Sequence, residues 1–381
     1  MADSQKNIIF AACMMENYQF TAVTLMTLMT LSLAIWMPRR LNDDKVVNRS
    51  RWLMAGGLAL LGAQFAIQYI FELRAQGLTQ AIFVNLLFFI PCSTLLSLCV
   101  LNLQRQGRIR PLEWLTGPLT FLIAAGIMVD AYFTNGEQPM ADTPLMRRAE
   151  VTAGICYSIM QVYYTILQIT EMRRIQRALS NYYDRESSNL LNWMLYTSAV
   201  LAAIAVMLPV LIYFTGPVLV VYGLIIFGGL FYMWLQFVGY IRTNAASKVR
   251  EAEENEEEVK NMEPMEPFDR LKDHEHIEEA AMKWLSADMH LRCGITIKTA
   301  ADEMQVPRYL LTAWLKTTEY GQFSNWITYY RIEAAKDMLK QHTDWSNETI
   351  AQECGFNTRN YFQAVFRKQT GMTPAQYVES L

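Results

Sequence analysis

The six cysteines (Cys13, Cys92, Cys99, Cys156, Cys293 and Cys354) and the four histidines are the side chains best suited to hold a metal or act as nucleophiles. No two of the cysteines are spaced C-x-x-C, and three lie inside apolar runs. That pattern argues against a thiolate zinc site and against a disulfide scaffold. It fits small hydrophobes set in a core. His274 and His276 flank Glu275 in an acidic stretch and read as solvated polarity, while His290 and His342 are isolated. The chain contains no G-x-x-x-x-G-K, G-x-G-x-x-G, G-x-S-x-G or H-E-x-x-H. These loops and helices are what phosphate cradling, nucleophile activation or zinc hydrolysis would need. No catalytic residue, metal or cofactor follows from the sequence, and an enzyme is not expected.

Glu72 and Asp130 stand apart because each closes a long apolar run. An ionisable side chain at membrane depth is a functional-site hypothesis by default. Their meaning depends on the elements that carry them. Up to residue 241 the sequence repeats one unit, about 20 apolar residues and then a polar break, with runs near 18–37, 52–71, 82–103, 114–133, 151–170, 190–214 and 218–241. Each can cross a hydrocarbon layer of ~30 Å as a helix rising ~1.5 Å per residue. The sequence therefore predicts an all-α protein with a seven-helix transmembrane bundle over residues 1–241. The N-terminus has no basic region or small-residue cleavage site ahead of its first run, so a cleaved signal peptide is not expected.

Basic residues orient the bundle. Arg39, Arg40, Lys45, Arg49 and Arg51 lie in the first connection, Arg105, Arg108 and Arg110 in the third, Arg173, Arg174, Arg177 and Arg185 in the fifth. Arg242, Lys248 and Arg250 follow the last run, whereas the opposite side carries Lys6, Arg74, Arg147 and Arg148. The positive-inside bias puts the N-terminus outside and the C-terminus in the cytoplasm of a bacterial inner membrane. Glu72 and Asp130 then lie close enough to the interface to be simply hydrated; with Tyr132 and Tyr213 at the outer ends of the runs they also make a candidate cluster for sensing a membrane or extracytoplasmic ligand. Thr21, Thr24, Thr27 and Thr30 read as a helix-contact face or as hydroxyls bonded to their own backbone.

Charge divides the chain further. Residues 1–250 hold 19 Lys/Arg against 13 Asp/Glu, residues 251–279 hold 3 against 13, and residues 280–381 hold 11 against 10. A single soluble enzyme domain does not partition charge in this way. The acidic run from Glu251 to Glu258, followed by Pro264 and Pro267, reads as a solvated cytoplasmic linker over 242–273.

From residue 274 the periodicity becomes that of water-soluble amphipathic helices. Ile277, Ala281, Trp284, Leu285 and Met289 make one apolar face. Thr296 is placed to cap a short helix ending at Met304, and Arg308 to Thr317 forms the next. A longer helix from Phe323 to Gln341 presents Phe323, Ile327, Tyr330, Ala334 and Met338. Ser346 caps another short helix, Arg359 to Gln369 follows the Gly355 turn, and Thr373-Pro374 opens the last. Two stretches match each other: Ala301-x-Glu303-Met304-Gln305-Val306 aligns with Ala351-x-Glu353-Cys354-Gly355-Phe356. One residue further on, Leu311, Ala313, Leu315 and Lys316 align with Phe362, Ala364, Phe366 and Arg367. Each copy is a helix, a tight turn and a second helix.

The residues Phe323-x-x-Trp326-Ile327-x-x-Tyr330-Arg331-x-x-x-Ala335-x-x-x-Leu339, Ile350-Ala351-x-x-Cys354-Gly355-Phe356 and Asn360-Tyr361-Phe362-x-x-x-Phe366-Arg367-Lys368-x-x-Gly371-Met372-Thr373-Pro374-x-x-Tyr377 carry a resemblance. Residues 274–381 are similar to the AraC/XylS-type double helix-turn-helix DNA-binding domain. The resemblance implies a transcription regulator that binds double-stranded DNA without a cofactor. It implies that Arg308, Tyr309 and Thr312 on one recognition helix and Arg359, Asn360 and Gln363 on the other reach the bases. Arg suits guanine O6/N7, and Asn or Gln suits adenine N6/N7. Lys316, Arg367 and Lys368 are expected at phosphates, where they set position rather than sequence. Leu311, Leu315, Phe356, Phe362 and Phe366 are expected in the core. The sequence departs from the family pattern at Ala313 and Ala364, where an Arg is common, at Gln305, where the turn usually has Gly, and at Val378. With so little net charge, the domain is expected to bind modestly per protomer and to act as a homodimer or on tandem sites.

Overall fold

The structure, a computed structural model, describes residues 2–35, 44–73, 78–136, 141–184, 191–211, 217–242, 250–254, 256–257, 272–342 and 344–381. The described residues contain helices and turns but no strand, and one isolated antiparallel bridge pairs Tyr183 with Thr296. The chain divides into two compact units, Met1–Arg173 with Leu191–Ala246, and Arg174–Leu190 with Ser247–Leu381.

The long helices of the first unit are α1 (Ala2–Ile35), α2 (Lys45–Ile70), α3 (Leu78–Gln104), α4 (Pro111–Thr134), α5 (Pro144–Tyr182), α6 (Asn192–Leu211) and α7 (Pro217–Arg242). Each contains most of one apolar run. Asp44 caps α2, its carboxylate accepting from the Val46 and Val47 amides. Thr24 and Thr30 donate to the carbonyls of Phe20 and Met26, the backbone-bonded arrangement expected for that threonine series.

Among the described residues, six helices, α1–α4, α6 and α7, are long and apolar enough by length and composition to cross a membrane. Seven runs were expected, and α5 is not among the six. Its run contains Tyr157, Gln161, Tyr163, Tyr164 and Gln168, which lower its apolarity. The structure turns most of these inward: Tyr157, Gln161, Tyr164 and Gln168 are buried, while Ile155, Ile159, Val162, Ile166 and Ile169 form an exposed stripe.

Several amide N–H groups of the polar interior are bonded within it, while the side-chain oxygens of Gln64, Gln68, Asn102, Gln104 and Gln168 accept no bond from a described residue. Gln168 Nε2 donates to the Ser97 carbonyl at 2.9 Å, and Gln104 Nε2 to the Gln168 carbonyl at 3.1 Å. Asn102 Nδ2 reaches Ser50 Oγ and the Val46 carbonyl, both at 2.8 Å. Gln64 and Gln68 both donate to Asn85 Oδ1 at 2.6 Å. Arg105, buried at the end of α3, pairs with Glu113 and with Glu171. These bonds tie α2, α4 and α5 to α3, whose residues Leu98–Leu101 are fully enclosed.

The second unit begins with the last turns of α5. The described part of the acidic stretch is helical at 250–254 and 256–257, and it lies along those turns. Glu253 pairs with Arg174 at 2.8 Å, Tyr183 donates to Glu251 at 2.9 Å and Asn181 to Glu256 at 3.2 Å. This part of the expected linker is bonded, not merely solvated; Pro264 and Pro267 lie outside the described residues.

Then come α8 (Lys272–Ser286), a 3-10 turn (Met289–Leu291), α9 (Ile297–Met304), α10 (Arg308–Thr317), α11 (Phe323–Gln341), α12 (Asn347–Glu353), α13 (Arg359–Thr370) and α14 (Pro374–Glu379). Thr296, Ser346 and Thr373 cap as their positions in the sequence predict. Ile277, Ala281, Trp284 and Leu285 are buried, but α8 stops at Ser286, and Met289 opens the 3-10 turn.

The long helix α11 has the expected ends and a different inner face. Phe323, Trp326, Ile327, Arg331, Ile332, Ala335 and Leu339 are buried. Tyr330, Ala334 and Met338, placed on the apolar face from sequence, are half-buried. The face is rotated because it encloses a charged residue, Arg331, which periodicity of apolar residues could not count inward.

Candidate nucleic-acid interface

The two matched stretches fold alike. In the first, the Gln305 amide donates to the Asp302 carbonyl at 3.2 Å and the Val306 amide to the Ala301 carbonyl at 3.0 Å. In the second, Gly355 donates to Gln352 at 3.0 Å and Phe356 to Ala351 at 2.8 Å. Gln305 and Gly355 both take positive φ, 57° and 78°. The absence of Gly in the first turn therefore does not change its type; Gln305 adopts the left-handed conformation. Burial repeats as well. Ala301 and Ala351, Val306 and Phe356, Leu311 and Phe362, and Leu315 and Phe366 are buried in pairs. The five residues assigned to the core from sequence are all enclosed.

That shared core fixes what each second helix presents. On α10, Arg308, Tyr309 and Thr312 are half-buried, and Lys316 is exposed. The Thr312 hydroxyl donates to the Arg308 carbonyl at 2.9 Å, which leaves its oxygen lone pairs and methyl group outward-capable. On α13, Arg359, Asn360, Arg367 and Lys368 are exposed and Gln363 is half-buried. Thr358 caps α13 by accepting from the Tyr361 amide, which places Arg359 and Asn360 in its first turn. Ala313 and Ala364 are exposed at equivalent positions, so the outer surface of both helices carries a methyl where a long cation could stand.

Around the interface, Glu303 accepts from Trp284 Nε1 at 2.8 Å and pairs with Arg292. The hydrogen bond from the Arg292 guanidinium holds the Glu303 carboxyl below its usual range. His290 is buried, and loss of solvent lowers its pKa from the usual value. Burial pushes the Cys354 thiol up to about 12, so it is an inert core group. Cys293 is exposed beside Asn357.

The candidate sensing residues belong to the first unit. Glu72 and Asp130 are exposed, and Tyr132 is half-buried with an edge contact to Phe133. Tyr213 lies outside the described residues. Among the described residues, the buried charges of this unit are others, Arg51, Arg105, Glu113 and Glu150. The sequence marks Arg51 and Arg105 only as basic residues of the connections, and nothing in their local pattern sets them or Glu113 and Glu150 apart as buried.

Residues 300–380 match a family described as a helix-turn-helix domain. The C-terminal part of the chain is thus an AraC-type helix-turn-helix region, as its motifs imply. Among similar curated proteins is the regulatory protein PocR of Salmonella typhimurium, 27% identical over 28% of this chain and 35% of the relative. The uncharacterized HTH-type transcriptional regulator YijO of Escherichia coli is 38% identical over 24% of this chain and 31% of its own. A HTH-type transcriptional regulator from the cgkA 5' region of Pseudoalteromonas carrageenovora is 39% identical over 22% of this chain and 48% of its own. The chain spans less than half the length of these relatives. No solved structure matches it.

Proposed function

We propose that this chain is a membrane-bound one-component transcription regulator. In this reading α1–α7 span a bacterial inner membrane with the N-terminus outside, and the double helix-turn-helix domain reads promoter DNA from the cytoplasm. The observation that carries the reading is the joining, in one chain, of two matching helix-turn-helix units to long helices that bury Gln64, Gln68, Gln161 and Gln168 while exposing Leu119, Leu122, Ile159 and Leu224. Water selects the reverse distribution, and hydrocarbon accepts this one. Arg308, Tyr309, Thr312, Arg359, Asn360 and Gln363 read bases. Lys316, Arg367 and Lys368 hold phosphates. With two recognition helices on one domain, successive major-groove segments ~34 Å apart are the natural target.

Glu72, Asp130, Tyr132 and Tyr213 receive the signal at the outer ends of the spans, and the ligand acts by binding two states of the bundle unequally. Reporter transcription in cells tests both halves. Arg359→Ala abolishes regulation, while Glu72→Ala with Asp130→Ala removes the response and spares DNA binding. Regulation unaffected by Arg359→Ala would contradict the DNA-reading assignment. The exposed Ala313 and Ala364 favour a second reading, in which the domain binds protein. Retained regulation in the Arg359→Ala and Asn360→Ala chains, with duplex binding absent, would support it.

A further inference from the structure

Arg331 on α11 is 3% exposed, and its counterion is Asp184, 4% exposed, which lies 147 residues away just past the end of α5. Arg331 Nη2 reaches Asp184 Oδ2 at 2.7 Å. The same oxygen accepts from the Ile295 amide at 3.1 Å, and the Asp184 amide donates to the Ile295 carbonyl at 3.0 Å. Next to it, the Tyr183–Thr296 bridge pairs the two backbones. Asp184 therefore arrives as one rung of extended chain and is held by both backbone and charge.

What Arg331 touches gives the contact its importance. Its Nε donates to the His290 carbonyl at 2.8 Å and its Nη2 to the Arg292 carbonyl at 2.6 Å, on the loop that leads into the first helix-turn-helix unit. Its guanidinium lies 5.8 Å from the Phe356 ring centroid, and a Cβ at Gly355 would sit 3.0 Å from its Nε, both in the turn of the second unit. One buried cation thus joins the loop that leads into the first unit, the turn of the second and the segment just past α5. A guanidinium cannot shed its proton, so Arg331 cannot stay in place unpaired without large cost.

We propose that Asp184 is a coupling contact: seated on Arg331, it fixes the relative placing of the two helix-turn-helix units, and its withdrawal at the end of α5 releases them. The seated state is the one that engages both DNA half-sites. This rests on the DNA-binding reading above. Asp184 lies outside the region matched to the helix-turn-helix family, so the contact is a feature of this chain's architecture. Two linked binding modules gain affinity over one only while their geometry lets both engage.

The test uses the full chain in lipid nanodiscs and two duplexes: the site it selects from genomic DNA, and the same site with one half scrambled. Asp184→Asn and Asp184→Ala are expected to weaken binding to the intact site by roughly tenfold or more, and to the half-site by no more than about twofold. Unchanged affinity for the intact site overturns the proposal. Equal loss on both duplexes also overturns it, because Asp184 would then merely keep the domain folded. A wild-type chain that selects no duplex fails the DNA-binding reading itself, and the coupling falls with it.

Discussion

Gln305 and Gly355 hold the same place in two equivalent turns under different constraints. A left-handed conformation costs a non-glycine residue about 1–2 kcal/mol, part of which Gly returns as unfolded-chain entropy. Gln305→Gly should therefore leave stability unchanged or raise it by up to ~1 kcal/mol. At Gly355 a Cβ would also collide with the Leu291 carbonyl. Gly355→Ala should cost more than ~2 kcal/mol in denaturant unfolding of the C-terminal unit. Similar effects of the two substitutions would contradict the turn geometry. The ionisable groups near the interface set a pH dependence. His290 is harder to protonate folded than unfolded, so below its ordinary 6.5 the unfolded chain binds the proton more readily and stability falls. Glu303, with a lowered pKa, loses its contribution as pH drops through and below the ordinary 4.5. The melting temperature of the C-terminal unit should decline in two steps on acidification, and His290→Gln should remove the upper one. A flat profile between pH 7 and 5 would contradict the burial of His290.

The helices carry different amounts of legible signal. In the C-terminal unit the bounds of α9, α10 and α11 follow from Thr296, Pro307 and Phe323, because caps and turns are local chemistry. The paired burial of Leu311 with Phe362 and of Leu315 with Phe366 was legible too, since an internal repeat places like residues alike. The inner face of α11 was not. Arg331 is buried by a carboxylate 147 residues away, and no window of sequence contains both. The same reason hid the pairing of Arg105 with Glu171, 66 residues away. For α5, the polar residues that take it off the list of strongly apolar helices are those turned inward, such as Gln161 and Gln168. Ile159, 66% exposed on the opposite stripe, gives this element its test. On a water-facing surface Ile159→Lys changes stability by less than about 0.5 kcal/mol. In hydrocarbon a Lys at mid-helix costs about 2.5–3.5 kcal/mol, and the chain should fail to accumulate in membranes. Normal accumulation of Ile159→Lys would argue against α5 as a span.

At the scale of the molecule, the partition of charge and the seating of Asp184 describe one design. The basic residues cluster in the first, third and fifth connections and after α7, the acidic ones at 251–279, and residues 280–381 are nearly neutral. An electrostatically weak DNA binder needs a second source of affinity. Two linked recognition helices, or two copies of the chain, supply it through effective concentration. In the proposed reading, holding the protein at a membrane confines the search to DNA that approaches the surface. The measurement that bears most directly on this account is selection of genomic duplex fragments by the full chain in lipid nanodiscs, followed by affinity over a range of salt. The account predicts enrichment of discrete sites and log K falling steeply with log salt, at a slope of about −0.9 per phosphate contacted. Arg359→Ala should lose the enrichment while retaining most of that slope. No enrichment at any salt concentration, from a chain correctly inserted in the bilayer, would contradict it.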